Sequence, residues 1–129
     1  MLSTRHQNQT KMKENAAKKC NQLHQQAMEF ADKAFLNEKA TKHAQAKKQY
    51  EQAFQLEKQA AMLLVADYSI EPSRSVLFRS AAFLAIKAKQ YREAERMAAF
   101  GLTGNPPSEI AQELRKAFQQ SQQHLQLVA

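Results

Sequence analysis

Apolar residues recur at spacings of three and four along most of this chain, which predicts α-helices that each bury one face. The connections between these stripes are short, and short connections make sequential helices antiparallel neighbours. The predicted fold class is therefore all-α, with about five helices in antiparallel hairpins. The predicted helices cover residues 11–36, 42–68, 73–88, 91–103 and 106–123.

The boundary between the first two helices is weakly marked. Asn37 and Thr41 are poor helix formers, but no glycine or proline interrupts the chain there. One long helix over 11–68 is therefore an alternative to two helices, the second of which Thr41 would cap. The polar ends suggest a disordered tail at 1–10, a single helical domain at 11–123 and a frayed tail at 124–129.

The helix predicted at 73–88 is apolar around most of its circumference, which is typical of a helix in the middle of its protein. Only Arg79 and Ser80 interrupt its apolar run. Glu71 precedes Pro72 and is therefore disfavoured in the helical region, so we expect this helix to begin at Ser73 or just after it, with Ser73 as the cap.

The formal net charge of +7 is uneven along the 129 residues. Residues up to Tyr50 carry ten Lys and Arg against four acids. One interpretation is attraction to nucleic acid or an acidic partner, through Lys18, Lys19, Lys47 and Lys48. The other, which we favour, is a solvated lysine-rich face, because few aromatic residues lie among the lysines to stack on bases.

Candidate chemistry is sparse. Cys20 and His24 share a helix face at spacing i, i+4, but zinc sites need four ligands and there is no second cysteine. Acidic residues such as Glu57 and Glu93 lie at helix-surface spacings and are interpreted as solvated or ion-paired. There is no glycine-rich phosphate loop. We therefore expect no enzyme activity, no metal and no cofactor.

The expected location is the cytoplasm. The first residues contain no apolar signal-peptide core, and the longest apolar run, residues 60–66, is far too short to span a membrane. A single cysteine excludes an intrachain disulfide and fits a reducing compartment.

Segment 75–106 resembles a tetratricopeptide repeat, whose pattern places an aromatic residue, small residues and a closing proline at fixed spacings. Phe78 stands at the first aromatic position, Ala94 at the small position of the second helix, and Pro106 at the closing proline. Three positions that are usually larger hold alanine instead, which suggests close helix packing; they are Ala81, Ala85 and Ala98.

A second, divergent match covers 27–57, with Phe30 at the aromatic position and Ala46 at the small one. Ala46 and Ala94 are 48 residues apart, whereas the repeat has a period of about 34. The alternatives are a generic helical bundle and the microtubule-interacting-and-transport hairpin, which "YEQAFQLEKQA" resembles. The C-terminal half also resembles small uncharacterised bacterial proteins.

The resemblance implies a non-enzymatic module that binds a peptide or a partner helix, or that self-associates as a homodimer. In tetratricopeptide proteins the first helix of each hairpin lines a groove. The positions that correspond to that groove here are Val76, Arg79, Phe83, Ile86, Met28 and Phe35. The alternative is that the protein's own N-terminal helix covers Phe83 and Ile86.

The repeat register also assigns the glycines and prolines of "YREAERMAAFGLTGNPPSEI", residues 91–110. Gly101 falls where a small residue packs closely on the neighbouring helix. Gly104 is then the left-handed C-cap of that helix, and Asn105 caps the next helix, with Pro106 and Pro107 in its first turn.

Overall fold

The structure is a computed structural model that describes residues 2–128, with the side chains of 4–127. Within this range the chain forms five α-helices and no strand, which confirms the predicted all-α fold. None of these helices is both long and apolar enough to span a membrane. The helices are α1 (Leu2–Lys39), α2 (His43–Met62), α3 (Ser73–Lys87), α4 (Tyr91–Leu102) and α5 (Ser108–Val128).

Sequential helices pack as antiparallel neighbours, as predicted. Between α1 and α2, Asn37 Nδ2 donates to Gln49 Oε1 at 2.6 Å near one end. Near the other end, Cys20 Sγ lies 3.6 Å from the carbonyl oxygen of Ala60. Because residue numbers rise on one helix as they fall on the other, the two helices form an antiparallel hairpin.

Helices α4 and α5 pair in the same way. The rings of Tyr91 and His124 stack with centroids 4.1 Å apart. At the other end of the pair, Gly101 faces Leu114, and a Cβ added to Gly101 would lie 2.7 Å from Leu114 Cδ2 and 3.1 Å from Phe78 Cβ. This confirms the prediction that Gly101 allows close helix packing.

Helix α3 is the central helix, because it contacts α2, α4 and α5. Much of the core that surrounds it is alanine, which allows the helices to approach closely. The largest fully buried apolar side chains are Phe54, Phe78, Met97 and Leu114, one from each of α2 to α5.

Thr41 separates α1 from α2, so the structure contains two helices rather than one long helix. Its φ is 59°, and the Lys42 N–H donates to the Asn37 carbonyl at 2.8 Å, which closes the end of α1. Thr41 is therefore the residue that reverses the chain. The N-cap of α2 is Lys42, which makes no side-chain capping hydrogen bond.

Several helix ends differ from the sequence prediction. Helix α1 includes residues 2–10, where we expected a disordered tail, and α5 includes 124–128, where we expected a frayed one. Neither segment contains a glycine or proline, so a helix that has formed in the adjacent turns can extend into it. Helix α2 ends at Met62 rather than at 68, and turns follow. Residues 1 and 129 of the predicted tails lie outside the described range.

Besides Thr41, three predicted helix caps were wrong. Helix α3 has Pro72 at its N-cap, so Ser73 is the first helical residue. Helix α5 begins at Ser108, and the Ala111 N–H donates to the Pro107 carbonyl. The two prolines therefore precede the helix, and Asn105 is too far from it to cap it. The Pro107 carbonyl accepts the first hydrogen bond of α5, as the N-cap carbonyl of any helix does.

Gly104 is not a left-handed cap, which is the third error. No glycine in the described range has a positive φ. Instead, a Cβ added to Gly104 would lie 2.5 Å from Nη1 of Arg74, which is fully buried. Arg74 donates to the Val65 carbonyl through Nη2 at 2.9 Å and lies over the Phe78 ring. Gly104 therefore provides the space for a buried guanidinium.

Candidate functional site

The outer face of α3 holds the four groove residues that the sequence predicted on this helix. Val76, Arg79, Phe83 and Ile86 are all partly buried, whereas most other residues of α3 are fully buried. Their spacings of three, four and three place them on one side of the helix. Phe83 and Ile86 pack against the margin of the core while keeping part of their surface in solvent.

Helices α1 and α5 flank this face. On one side, Lys87 Nζ lies 3.4 Å from Oε1 of Glu38 on α1. On the other side, Arg79 Nη1 lies 3.3 Å from Oε2 of Glu113 on α5. The predicted interface arginine is thus half-buried in an ion pair and not a free anchor.

Met28 and Phe35 lie on the side of α1 that faces α3. They follow His24 by four and eleven residues, which places all three on one face of the helix. That face points towards α3, because His24 lines a cleft together with Val76. Met28 is partly buried, and Phe35 is 50% exposed with Lys39 Nζ 4.7 Å from its ring centroid. We call the six predicted residues together the α3 groove.

A buried polar cluster lies beside this groove, where α1, α2 and α3 meet. The Glu57 carboxylate is fully buried, which corrects the surface position that we expected for it. His24 Nδ1 lies 2.9 Å and 3.0 Å from its two oxygens, and the Ser80 hydroxyl donates to Oε2 at 2.5 Å. A buried carboxylate needs such partners, because its charge is costly to remove from water.

Cys20 lies next to this cluster, with little of its surface exposed. Its side chain is buried, and its Sγ–H donates to the Ala60 carbonyl. Burial raises the pKa of the Cys20 thiol, and the negative charge of Glu57 raises it further. Cys20 therefore remains a thiol rather than the thiolate that nucleophilic catalysis or metal binding requires.

The cluster borders a cleft of 390 Å³ between α1, the start of α3 and the connection before it. Its walls are mainly apolar, and His24 and Asn21 of α1 and Ser73 of α3 provide polar groups. The apolar part of its lining includes Ala17, Leu64, Ile70, Val76 and Leu77. We call it the His24 cleft; it opens at the Val76 end of the α3 groove.

A second cleft, of 380 Å³, lies at the opposite end of the groove. We call it the lysine cleft; it is lined by Glu38, His43, Ala44, Ala46, Lys47, Tyr50, Lys87 and Lys89. The Tyr50 hydroxyl donates to Glu38 Oε2 at 2.7 Å. Burial and this hydrogen bond raise the pKa of Tyr50 to about 12, and the same bond lowers the pKa of Glu38.

The four lysines that suggested nucleic-acid binding do not form one patch. All four are exposed. Lys47 and Lys48 begin α2, opposite the end of α1, as the Asn37–Gln49 contact shows. Lys18 and Lys19 are about 20 residues earlier on α1, which separates the two pairs by roughly 30 Å at 1.5 Å per residue.

Sequence reasoning missed Glu57 and Arg74 as structural residues. Glu57 has the spacing of any exposed acid on an amphipathic helix. The available signal was Ser80, a polar residue within the apolar run of α3, since a polar group in the middle of a protein needs a partner. Nothing in the sequence around Arg74, at the beginning of that helix, indicated that its side chain would be buried.

No group of three or more His, Cys, Asp or Glu side chains that could hold a metal ion lies within the described range. Comparison of the chain with protein-family models, curated proteins and solved structures gives no match. Function must therefore be inferred from the chain's own geometry.

Proposed function

We propose that this protein is a non-enzymatic protein–protein interaction module that uses the α3 groove to hold a partner helix or peptide, or a second copy of itself. The observation that carries the proposal is the partly exposed apolar stripe of Val76, Phe83 and Ile86, with a helix on either side. Removing such a stripe from water favours association, and the flanking helices limit what fits.

The helix arrangement supports this proposal. Two antiparallel hairpins, α1–α2 and α3–α4, are followed by α5, which packs on both helices of the second hairpin. This is the order that a divergent tetratricopeptide-like stack would have, and in that family the first helix of each hairpin lines the binding groove. We propose tetratricopeptide-like packing on this basis, together with the residue pattern of 75–106.

The chemistry of the polar groups also favours binding over catalysis. Both oxygens of Glu57 are occupied by His24, and Oε2 also accepts from Ser80. The Cys20 thiol is buried and donates a hydrogen bond to a backbone carbonyl. These side chains hold helices together. A buried thiol also suits a reducing compartment, and we propose the cytoplasm as the location.

The test uses two adjacent exposed residues of α1. Phe35 (50% exposed) belongs to the α3 groove, and Leu36 (66% exposed) points about 100° away from it. Phe35→Ala and Leu36→Ala should both leave the fold intact, because neither side chain is buried. We expect Phe35→Ala to weaken association with a partner or with a second copy, and Leu36→Ala to leave it unchanged.

Two measurements read out this comparison. Light scattering over a range of concentrations gives the molar mass and hence any dimer, and affinity capture compares the bound proteins of the two variants. Equal behaviour of the two variants in both measurements would contradict the proposal. A dimer that Phe35→Ala dissociates would identify a second copy as the occupant.

Nucleic-acid binding is a second candidate function, and the N-terminal part of α1 favours it. Residues 4–11 are all exposed, and the first half of the helix carries five bases against the single acid Glu14. None of these bases forms an ion pair within residues 4–127. The five bases are Arg5, Lys11, Lys13, Lys18 and Lys19.

Unpaired bases on a projecting helix are available to neutralise phosphates, which releases counterions and makes binding strongly dependent on salt. We expect Lys18→Gln with Lys19→Gln to reduce the salt dependence of binding to duplex DNA or RNA. Arg115→Gln with Lys116→Gln, two exposed bases on α5, is the control and should have no effect. Binding that is absent, or equally affected by both pairs, would exclude this candidate.

A further inference from the structure

The lysine cleft combines an apolar floor with a cationic rim. Ala46 and Tyr50 form the floor and are buried. Lys47, Lys87 and Lys89 lie around the opening and are all exposed. The volume of 380 Å³ is within the range of small-molecule pockets, which are mostly apolar and have a few polar groups at defined positions.

The cations of the rim exceed the negative charge in the cleft. Glu38 is the only carboxylate in the lining, and both of its oxygens are engaged, by Tyr50 and by Lys87. Lys47 reaches Glu51 only at 4.0 Å. Lys89 makes no ion pair and no side-chain hydrogen bond in the described part of the chain. A positive charge therefore remains uncompensated at this opening.

The backbone at Lys89 adds a second observation. Its φ is 61°, a left-handed conformation that favours glycine, and it closes the end of α3 through the hydrogen bond from Gln90 N–H to the Ala85 carbonyl. The chain thus carries a lysine in a conformation that favours glycine. The left-handed turn itself gives no reason for a lysine at this position.

We propose that the lysine cleft binds a small organic anion, with a compact apolar body against Ala46 and Tyr50 and a carboxylate or phosphate group between Lys47 and Lys89. The apolar body replaces water over the floor, and the anionic group offsets the excess charge of the rim. This site is independent of the proposed function, because it needs no protein partner in the α3 groove.

The test is a titration followed by NMR on the ¹⁵N-labelled full chain, with three probes. Benzoate has both an apolar body and an anionic group, benzyl alcohol lacks the charge, and inorganic phosphate lacks the apolar body. We expect benzoate to cause saturable shifts in the amides of His43, Ala44, Lys87 and Lys89. The two other probes should bind at least about threefold more weakly, because each lacks one of the two contributions.

Variants locate the site. Lys89→Gln should weaken benzoate binding about threefold to fivefold, as expected for one solvated ion pair, and Lys89→Arg should restore it. Lys18→Gln, on the distant part of α1, should leave it unchanged. Three outcomes would overturn the proposal: benzyl alcohol bound as well as benzoate, benzoate shifts that also appear around Lys11 and Lys18, or equal affinity of wild type and Lys89→Gln.

Discussion

His24 on α1 and Glu57 on α2 form a buried polar contact that links the two helices of the first hairpin. Nδ1 of the imidazole lies 2.9 Å and 3.0 Å from the two oxygens of a carboxylate that is fully buried. The same carboxylate accepts from Ser80 on α3. Three helices therefore meet at one side chain.

We predict that His24→Ala destabilises the fold by about 2–3 kcal/mol. The substitution leaves the Glu57 carboxylate buried with only one hydroxyl donor, and breaking a buried pair is costly, although His24 is partly exposed. Glu57→Gln removes the charge and keeps a hydrogen-bonding group, so we expect a loss of only about 1 kcal/mol. Urea denaturation measures both. A larger loss in Glu57→Gln than in His24→Ala would contradict the assignment.

Tyr50 predicts a loss of stability at alkaline pH. Burial, and then the hydrogen bond to Glu38, raise the pKa of Tyr50 to about 12, compared with about 10 for an unfolded chain. Because the folded pKa is the higher one, this stabilisation is complete below about pH 10 and disappears as the pH rises towards 12. Its size is on the order of 2 kcal/mol.

In Tyr50→Phe, the free energy of unfolding should therefore decrease less steeply between about pH 10 and 12 than in the wild type. Tyr68→Phe is the control, because Tyr68 is 56% exposed and its hydroxyl makes no hydrogen bond to the side chains and backbone of residues 4–127. Urea unfolding at a series of pH values gives both slopes. A Tyr50→Phe slope as steep as that of the wild type would contradict the prediction.

The two glycines should differ in how well they tolerate alanine. At Gly101 an added methyl group would crowd the side-chain end of Leu114 and the Cβ of Phe78, which offsets the gain of about 1 kcal/mol in helix propensity, so Gly101→Ala should change the stability by less than about 1 kcal/mol. Gly104→Ala would press a methyl group on the buried Arg74 guanidinium, so we expect a loss of about 1–3 kcal/mol. Thermal unfolding compares them.

Gly101→Leu extends this prediction. A leucine side chain has no space between Leu114 and Phe78, so overpacking should cost about 1–3 kcal/mol or more. An unchanged melting temperature for Gly101→Leu would contradict the close packing of α4 against α3 and α5.

Glycine should stabilise the protein at the two left-handed positions that other residues occupy. Thr41 and Lys89 have φ values of 59° and 61°, which cost a residue with a Cβ about 1 kcal/mol or more. We predict that Thr41→Gly and Lys89→Gly each stabilise the protein by up to about 1 kcal/mol. Lys48→Gly, within α2, is the control and should destabilise it by a similar amount. Destabilisation by Lys89→Gly would exclude strain at that residue.

The helices could be predicted from the sequence, because their stripes of apolar residues repeat with the helical period. The central position of α3 followed from its apolar circumference, and the role of Gly101 followed from the repeat pattern. The left-handed residues could not be predicted in the same way. Thr41 and Lys89 adopt this conformation because the packing of the hairpins outweighs their intrinsic preference, and Gly104 is needed for a contact with Arg74 that is distant in sequence.

The burial of Glu57 was not predictable for a related reason. Its spacing on α2 is the same as that of an exposed acid, and only the approach of α1 and α3 removes it from water. The groove residues on α3 were assigned through the tetratricopeptide resemblance, and their spacing places them on one face. The ion pair between Arg79 and Glu113 involves α5, so it could not be predicted from the pattern of a single helix.

Site-specific photo-crosslinking tests the central claim, that the α3 groove is a protein interaction surface, most directly. A benzophenone side chain replaces Phe35 in the groove or Leu36 outside it, and the protein is irradiated in cells and after purification. We predict adducts of defined mass, with a partner or with a second copy, from position 35 and none from position 36. Equal yields from the two positions, or no adduct from position 35, would contradict the claim.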